Sequence, residues 1–125
     1  MAQPVPPASR LAPCPRTPNC VSTQAPAGPQ HMDPIPYTGS LAEGRARLLE
    51  VLRHHPRTRI VTEEADYLKA ECRSEVFHFV DDVEFVFDDA AKRIHFRSAS
   101  RLGRKDFGVN RKRMEEITAA FRAAR

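Results

Sequence analysis

Residues 79–110 decide the fold, and they read FVDDVEFVFDDAAKRIHFRSASRLGRKDFGVN. It contains two runs in which apolar residues alternate with polar ones, Phe79–Phe87 and Arg93–Arg101. A polar turn, Asp88–Lys92, separates them. Alternation on both sides of a short polar turn is typical of antiparallel strands. The stretch therefore predicts a β-hairpin.

The apolar residues of the two runs also predict the register of the hairpin. One register places four large apolar side chains on the same face, by pairing Phe85 with Phe96 and Phe87 with Ile94. It also sets Glu84 opposite Arg97 on the other face. A slip of one residue would move the aromatic rings to the wrong face.

The same register makes one end of the core-facing side polar. Val83 comes opposite Ser98, and Asp81 comes opposite Ser100. A carboxylate at that end must be exposed or hydrogen-bonded, because burying it unpaired is costly. Core packing does not require these polar residues, so they mark a candidate functional site.

A helix is predicted in the chain before the hairpin. Ser40 and Glu43 have the spacing of a capping box, which predicts a helix start. Apolar residues then recur at helical spacing to about His54, and Pro56 stops the helix.

Two further strands and a second helix complete the elements. Arg59–Glu64 and Tyr67–Arg73 are predicted strands, and a final helix follows Asn110, a residue type that favours the N-cap position. The order helix, four strands, helix predicts an α+β fold, with an antiparallel sheet of about four strands and two helices on one face.

Proline content divides the chain. Ten of the eleven prolines precede Tyr37, and the last is Pro56. We expect a disordered N-terminal tail over residues 1–12, an extended proline-rich arm over 13–39, and a single α+β domain over 40–125.

Charge is distributed in two blocks. Residues 61–91 contain ten acids and two bases, and residues 92–125 contain eleven bases and three acids. The blocks either neutralise each other across adjacent elements or leave a basic face for an anion, a membrane or a nucleic acid. Nucleic acid is not expected as a partner, because no binding motif is present.

The sequence also bears on location, metals and cofactors. It has no apolar run long enough for a transmembrane segment and no apolar signal core, so a cytoplasmic protein is expected. Cys14 and Cys20 could close a small disulfide in an oxidising compartment, or stay thiols in a reducing cytosol. Their spacing is unusual for zinc, and no metal or cofactor is expected. Cys72 is predicted to be a core residue.

The candidate ligand-binding site is a hydroxyl-lined, electropositive pocket beside the start of the last helix. Its predicted members are Asp81, Ser98, Ser100, Arg101, Asn110 and Arg113. Hydroxyl and guanidinium donors near a helix N-terminus suit a phosphate or a carboxylate. The first helical turn, Arg111 to Arg113, has the wrong charge for the helix dipole, which indicates a compensating anion, either an internal acid or a ligand.

Three interpretations of these residues remain open. In the first, the protein is a non-enzymatic module that binds a small anion or has a structural role; in the structural version the arginines pair with internal acids and tie strands together. In the second, it is a hydrolase-like enzyme that uses Asp81 and Glu71 with Arg101. In the third, it is a subunit that docks a protein partner.

Several motifs resemble those of a family of bacteria and plants called domain of unknown function 1499. They are CPRTPNCVS at 14–22, His31 with Pro34, YLKAE at 67–71, FVDDVEF at 79–85, RSASR at 97–101 with Gly103, Asp106 and Gly108, and NRKR at 110–113. The resemblance covers about residues 13 to 122. It implies little about activity. Many members carry a signal, a lipid anchor or a membrane segment, so it leaves an exported location possible.

Overall fold

The computed structural model describes residues 7–17, 19–75, 79–102 and 108–124. Gly103 and Asp106 of the predicted polar segment lie outside these ranges. After a 3-10 turn at Pro7–Arg10, the elements are β1 (Cys20–Ser22), β2 (Ile35–Pro36), α1 (Leu41–His54), β3 (Thr58–Glu63), β4 (Tyr67–Arg73), β5 (Val80–Asp88), β6 (Arg93–Ser100) and α2 (Val109–Ala123).

The fold is α+β, with two helices and an antiparallel sheet, as predicted, but the sheet has six strands and not four. Its order is β1-β6-β5-β4-β3, and β2 also pairs with β6. Both additional strands come from the segment predicted to be an extended arm. Cys20 pairs with Ala99, and Ile35 pairs with Ile94. A short edge strand tolerates a proline such as Pro36, because that position needs no N–H donor.

The hairpin has the predicted register. The pairs are Phe85 with Phe96, Phe87 with Ile94, Glu84 with Arg97, Val83 with Ser98 and Asp81 with Ser100. The apolar members of this face are fully buried.

Both helices pack against that face of the sheet and form one core with it. Leu48 and Leu52 of α1 and Ile117 of α2 are fully buried among the aromatic residues of the hairpin. Each large apolar side chain buried in this way contributes about 1.5–3 kcal/mol to folding. This packing places the start of α2 beside the beginning of β5 and the end of β6.

The helix starts differ from each other. Ser40 and Glu43 form the predicted capping box of α1, each side chain bonding the backbone N–H of the other residue. The predicted N-cap of α2 is wrong: the cap is Gly108, whose left-handed backbone (φ 78°) glycine adopts without strain, and Asn110 lies inside the helix. Its side chain is therefore available for another role.

The opposite face of the sheet is covered in part by the chain around residue 11. Leu11 is buried in a small cluster with Tyr67 and Val86. The Arg10 guanidinium lies 3.7 Å from the centre of the Tyr67 ring and pairs with the Glu64 carboxylate at 2.9 Å. The division into tail, arm and domain stays a prediction; within the predicted tail, Ala8 and Leu11 are buried. In the described part of the chain, no helix has the length and apolar character needed to cross a membrane.

Candidate functional site

Five of the six predicted site residues meet at one place. Asp81 on β5, with Ser98 and Ser100 on β6, lies on the core-facing side at the polar end of the hairpin. Asn110 and Arg113 reach the same place from the first turns of α2. Alternation along the strands and helical spacing in α2 bring these side chains together.

Arg113 makes three hydrogen bonds in this group. Its Nη2 donates to Asp81 Oδ2 at 2.7 Å, and its Nη1 donates to Asn110 Oδ1 at 2.9 Å and to Ser98 Oγ at 3.2 Å. The side chains of Arg113 and Asp81 are only 9% and 10% exposed. A charge buried to this degree needs such partners, because desolvation would otherwise be strongly unfavourable. Asp81 is thus an internal acid that compensates part of the basic first turn of α2.

Asn110 connects the remaining members. Its Oδ1 accepts a hydrogen bond from Ser98 Oγ at 2.6 Å as well as the one from Arg113. Its Nδ2 donates to Ser100 Oγ at 3.1 Å and to the main-chain oxygen of Asn19 at 3.2 Å. We call Asp81, Ser98, Ser100, Asn110 and Arg113 the buried network. It connects β5, β6, α2 and the residue before β1. Asn19 was not predicted, since its contribution is a main-chain atom.

Arg111, in the same helical turn, has a different role. Its Nη2 donates to the main-chain oxygens of Pro29 at 2.7 Å and His31 at 2.8 Å. It therefore ties α2 to the chain between β1 and β2. Its positive charge is met by backbone carbonyl dipoles.

Arg101 lies apart from the buried network. Its side chain is on the opposite face of the sheet, where it forms two hydrogen bonds of 2.8 Å to the Asp82 carboxylate and one of 2.8 Å to Glu71. The Arg101 hydrogen bond lowers the pKa of Asp82 below its ordinary value of 3.8, against the opposing effect of burial. Arg101 therefore ties β6 to β5 and β4, as the structural interpretation of the arginines proposes.

The carboxylates of the hydrolase alternative do not meet. Asp82 is the cross-strand partner of Glu71, and Asp81 is that of Cys72, so Asp81 and Glu71 point to opposite faces of the sheet. Asp81 pairs with Arg113, and Glu71 pairs with Arg101. A shared acid–base site for these two carboxylates is thus absent from this arrangement.

A second polar feature, which the sequence did not predict, lies at the same end of the sheet. It is an open groove of about 460 Å³ between the end of α1, the start of β3 and the end of β4. We call it the basic groove. Its lining residues are Arg53, His55, Arg57, Thr58, Arg59, Glu71 and Arg73. Four arginines face one carboxylate there, and the same Glu71 also binds Arg101.

The arginines of the basic groove are weakly paired. Arg73 approaches the Glu71 carboxylate only to 3.9 Å, and Arg53 approaches Glu50 to the same distance. Within the described ranges, Arg57 and Arg59 form no ion pair. The groove therefore carries positive charge that the protein's own acids do not neutralise. The sequence contains a partial sign of this groove, because three arginines fall within 53–59. Their approach to Arg73 depends on the pairing of β3 with β4.

His55 lines the basic groove and also a cleft beside α2. Its Nδ1 lies 2.9 Å from Thr58 Oγ1. Its Nε2 is buried without a hydrogen-bond partner among the described residues, 3.9 Å from the Glu116 carboxylate. Burial lowers the pKa of His55 below its ordinary value of 6.5. The imidazole is therefore neutral at pH 7.

The cysteines take two forms. Cys14 and Cys20 form a disulfide, which closes a small loop before β1, and Cys72 is a buried thiol. In the described part of the molecule, His, Cys, Asp and Glu side chains form no group of three that could hold a metal ion.

Comparisons with known proteins identify the family of this chain. No curated protein and no solved structure matches the chain. A family model described as "Protein of unknown function (DUF1499)" matches residues 10–121, which include every strand and helix from β1 to β6 together with most of α2. The resemblance seen in the sequence motifs is thereby confirmed, and the chain belongs to the DUF1499 family.

Proposed function

We propose that this protein is a non-enzymatic module that binds a small anion, bearing a phosphate or a carboxylate, in the basic groove. The observation that carries the proposal is the pair Arg57 and Arg59. They flank Thr58 at the start of β3 and line the groove, and neither forms an ion pair in the described structure, although Arg59 lies opposite Glu71 in the sheet. Guanidinium groups bind phosphate and carboxylate oxygens in a planar, bidentate manner.

The size and charge of the groove support this assignment. A volume of about 460 Å³ lies in the range of small-molecule sites. Its opening to solvent gives an anion direct access, whereas the members of the buried network bond one another. We therefore assign the buried network, predicted as the ligand site, a supporting role: it holds α2 and the hairpin in place.

The two alternatives receive less support. The hydrolase alternative needs Asp81 and Glu71 on one face, and they lie on opposite faces. Docking of a protein strand would use an edge of the sheet, and the longest edge strand is β3. The register of β3 shifts between Ile60 and Thr62, and such irregularities protect edges against strand addition.

A thermal unfolding experiment tests the proposal. The wild type is heated with inorganic phosphate, phosphate esters and small carboxylates, and the same panel is applied to the double variant Arg57→Asn/Arg59→Gln. Asparagine suits position 57, because Arg57 has a left-handed backbone (φ 52°) that asparagine tolerates. A bound anion raises the midpoint by mass action.

We expect at least one anion class to stabilise the wild type and not the double variant. The matched control is Arg122→Gln, an exposed arginine near the far end of α2, which should respond like the wild type. Arg101→Ala tests the site predicted from the sequence. The proposal is overturned if no anion stabilises the wild type, or if Arg101→Ala abolishes the response and the groove variant retains it.

A further inference from the structure

Exposed apolar side chains are concentrated at one end of the molecule. Among the described residues, four large apolar side chains are exposed: Val61 at 38%, Phe79 at 54%, Leu102 at 73% and Val109 at 47%. Isolated exposed apolar residues are ordinary on a protein surface. Here Phe79, Leu102 and Val109 lie at the same end, and we call these three residues the apolar rim.

Backbone pairing places the rim residues together. The N–H of Arg101 donates to the oxygen of Val80, which extends the β5–β6 pairing, so Phe79 and Leu102 follow at the ends of neighbouring strands. Asn110 bonds Ser100 through its side chain, and this contact brings the first turn of α2, with Val109, to the end of β6.

Two cations, Arg57 and Lys112, lie beside Val109 of the apolar rim. Val109 lines a cleft with His55, Arg57, Lys112 and Glu116. Arg57 and Lys112 form no ion pair within the described ranges. Arg57 also connects the rim to the basic groove, because it lines both the groove and the cleft at Val109. Apolar side chains therefore project from a surface with unpaired cations.

We propose that this end of the molecule docks on an anionic lipid surface, with Phe79, Leu102 and Val109 entering the headgroup region and Arg57 and Lys112 facing lipid phosphates. Peripheral binding to membranes combines buried apolar area with attraction to anionic lipids. The inference goes beyond the proposed function, since a dissolved anion needs no apolar rim, although Arg57 takes part in both.

The small apolar area of the rim favours a lipid surface over a protein partner. A stable protein interface requires a large, well-packed apolar centre. The rim offers three exposed apolar side chains, at the approach to β5, the exit of β6 and the first residue of α2. A lipid headgroup layer accepts a few apolar side chains and offers many phosphates to the cations beside them.

Flotation with vesicles tests the inference. The full chain is mixed with vesicles of phosphatidylcholine alone and of phosphatidylcholine with phosphatidylglycerol. We expect binding to the anionic vesicles only, with affinity falling as salt rises. Phe79→Ser/Leu102→Ser and Lys112→Gln should each bind less, the latter about five-fold, the effect of one basic residue near such a surface. Val61→Ser and Arg122→Gln are the matched apolar and charged controls and should bind like the wild type.

A parallel measurement of phosphate binding separates this inference from the proposed function. Phe79 and Leu102 lie outside the basic groove, so their double variant should keep the response of the wild type to inorganic phosphate. The docking inference is overturned if the wild type ignores anionic vesicles while responding to phosphate, or if the rim variant and Val61→Ser bind vesicles equally. Vesicle binding without any response to dissolved anions overturns the proposed function and supports docking.

Discussion

Arg113 and Asp81 form an ion pair inside the protein, with the Arg113 Nη2 atom 2.7 Å from Asp81 Oδ2 and both side chains about nine-tenths buried. The pair joins α2 directly to β5. Because Ser98 and Asn110 also bond the guanidinium, its charge is satisfied on several sides.

Breaking this pair from one side is expected to be strongly destabilising. Asp81→Asn leaves the Arg113 charge buried without an anion, and such changes cost about 3–5 kcal/mol. Urea unfolding measures the loss directly. Replacing both partners, as in Asp81→Leu/Arg113→Met, should recover much of it, because two apolar side chains leave no charge buried. Equal losses in the single and double variants would contradict the assignment.

Asn110→Ala is expected to lower the free energy of unfolding by about 1–3 kcal/mol. The variant leaves Ser98, Ser100 and the main-chain oxygen of Asn19 without the bonds that the amide supplies, and an unsatisfied buried polar group has a cost of this size. The exposed pair Arg10–Glu64 provides the contrast: Glu64→Ala should cost less than about 1 kcal/mol. Chemical denaturation of both variants measures which of them loses more free energy of unfolding.

The Arg101–Asp82 pair is expected to make stability depend on acid pH. Because the native pKa of Asp82 is below 3.8, its contribution is present above about pH 4 and is lost as the pH falls through the native value. Arg101→Ala should therefore be less stable than the wild type at pH 7, and the difference should shrink toward pH 2. Thermal unfolding, monitored by circular dichroism at pH 7 and at lower pH, measures the stability of both proteins. For Arg122→Gln, which removes no ion pair of the described chain, the difference should not change over this range.

Reduction of the Cys14–Cys20 disulfide is expected to cost about 2 kcal/mol, the loop-closure entropy of a short cross-linked segment. Cys14→Ser is the suitable variant, because Cys20 is fully buried and Cys14 is not. A reductant should lower the unfolding midpoint of the wild type to that of the variant and leave the variant unchanged. If the reductant does not change the unfolding midpoint of the wild type, the cross-link does not stabilise the fold.

Local patterns predicted the hairpin and α1, because period-two alternation and a capping box are contained in adjacent residues. They did not predict β1 and β2. These strands have three and two residues, and their partners lie more than 50 positions along the chain. Prolines on both sides of Ile35 argue against a strand when only local propensity is considered, and long-range pairing overrides that propensity.

The candidate site was predictable only in part. Strand alternation places Ser98 and Ser100 on one face of the sheet and Arg101 on the other. Alternation alone therefore excludes Arg101 from the buried network. The role of Asn110 could not be read from its helix-capping propensity, because the buried serines compete for its side chain. The basic groove depends on the approach of two strands and a helix end, which no single stretch of sequence reveals.

The pairing of β1 with β6 sets the order in which the molecule can fold during synthesis. Ser22 pairs with Arg97, so β1 emerges from the ribosome well before its partner. At 5–20 residues per second, the delay is about 4–15 seconds. The hairpins from β3 to β6 join neighbours in sequence and can form earlier. β1 therefore joins the sheet only after β6 has emerged, and Cys14 and Cys20 can meet an oxidant before β1, which begins at Cys20, has a strand to pair with.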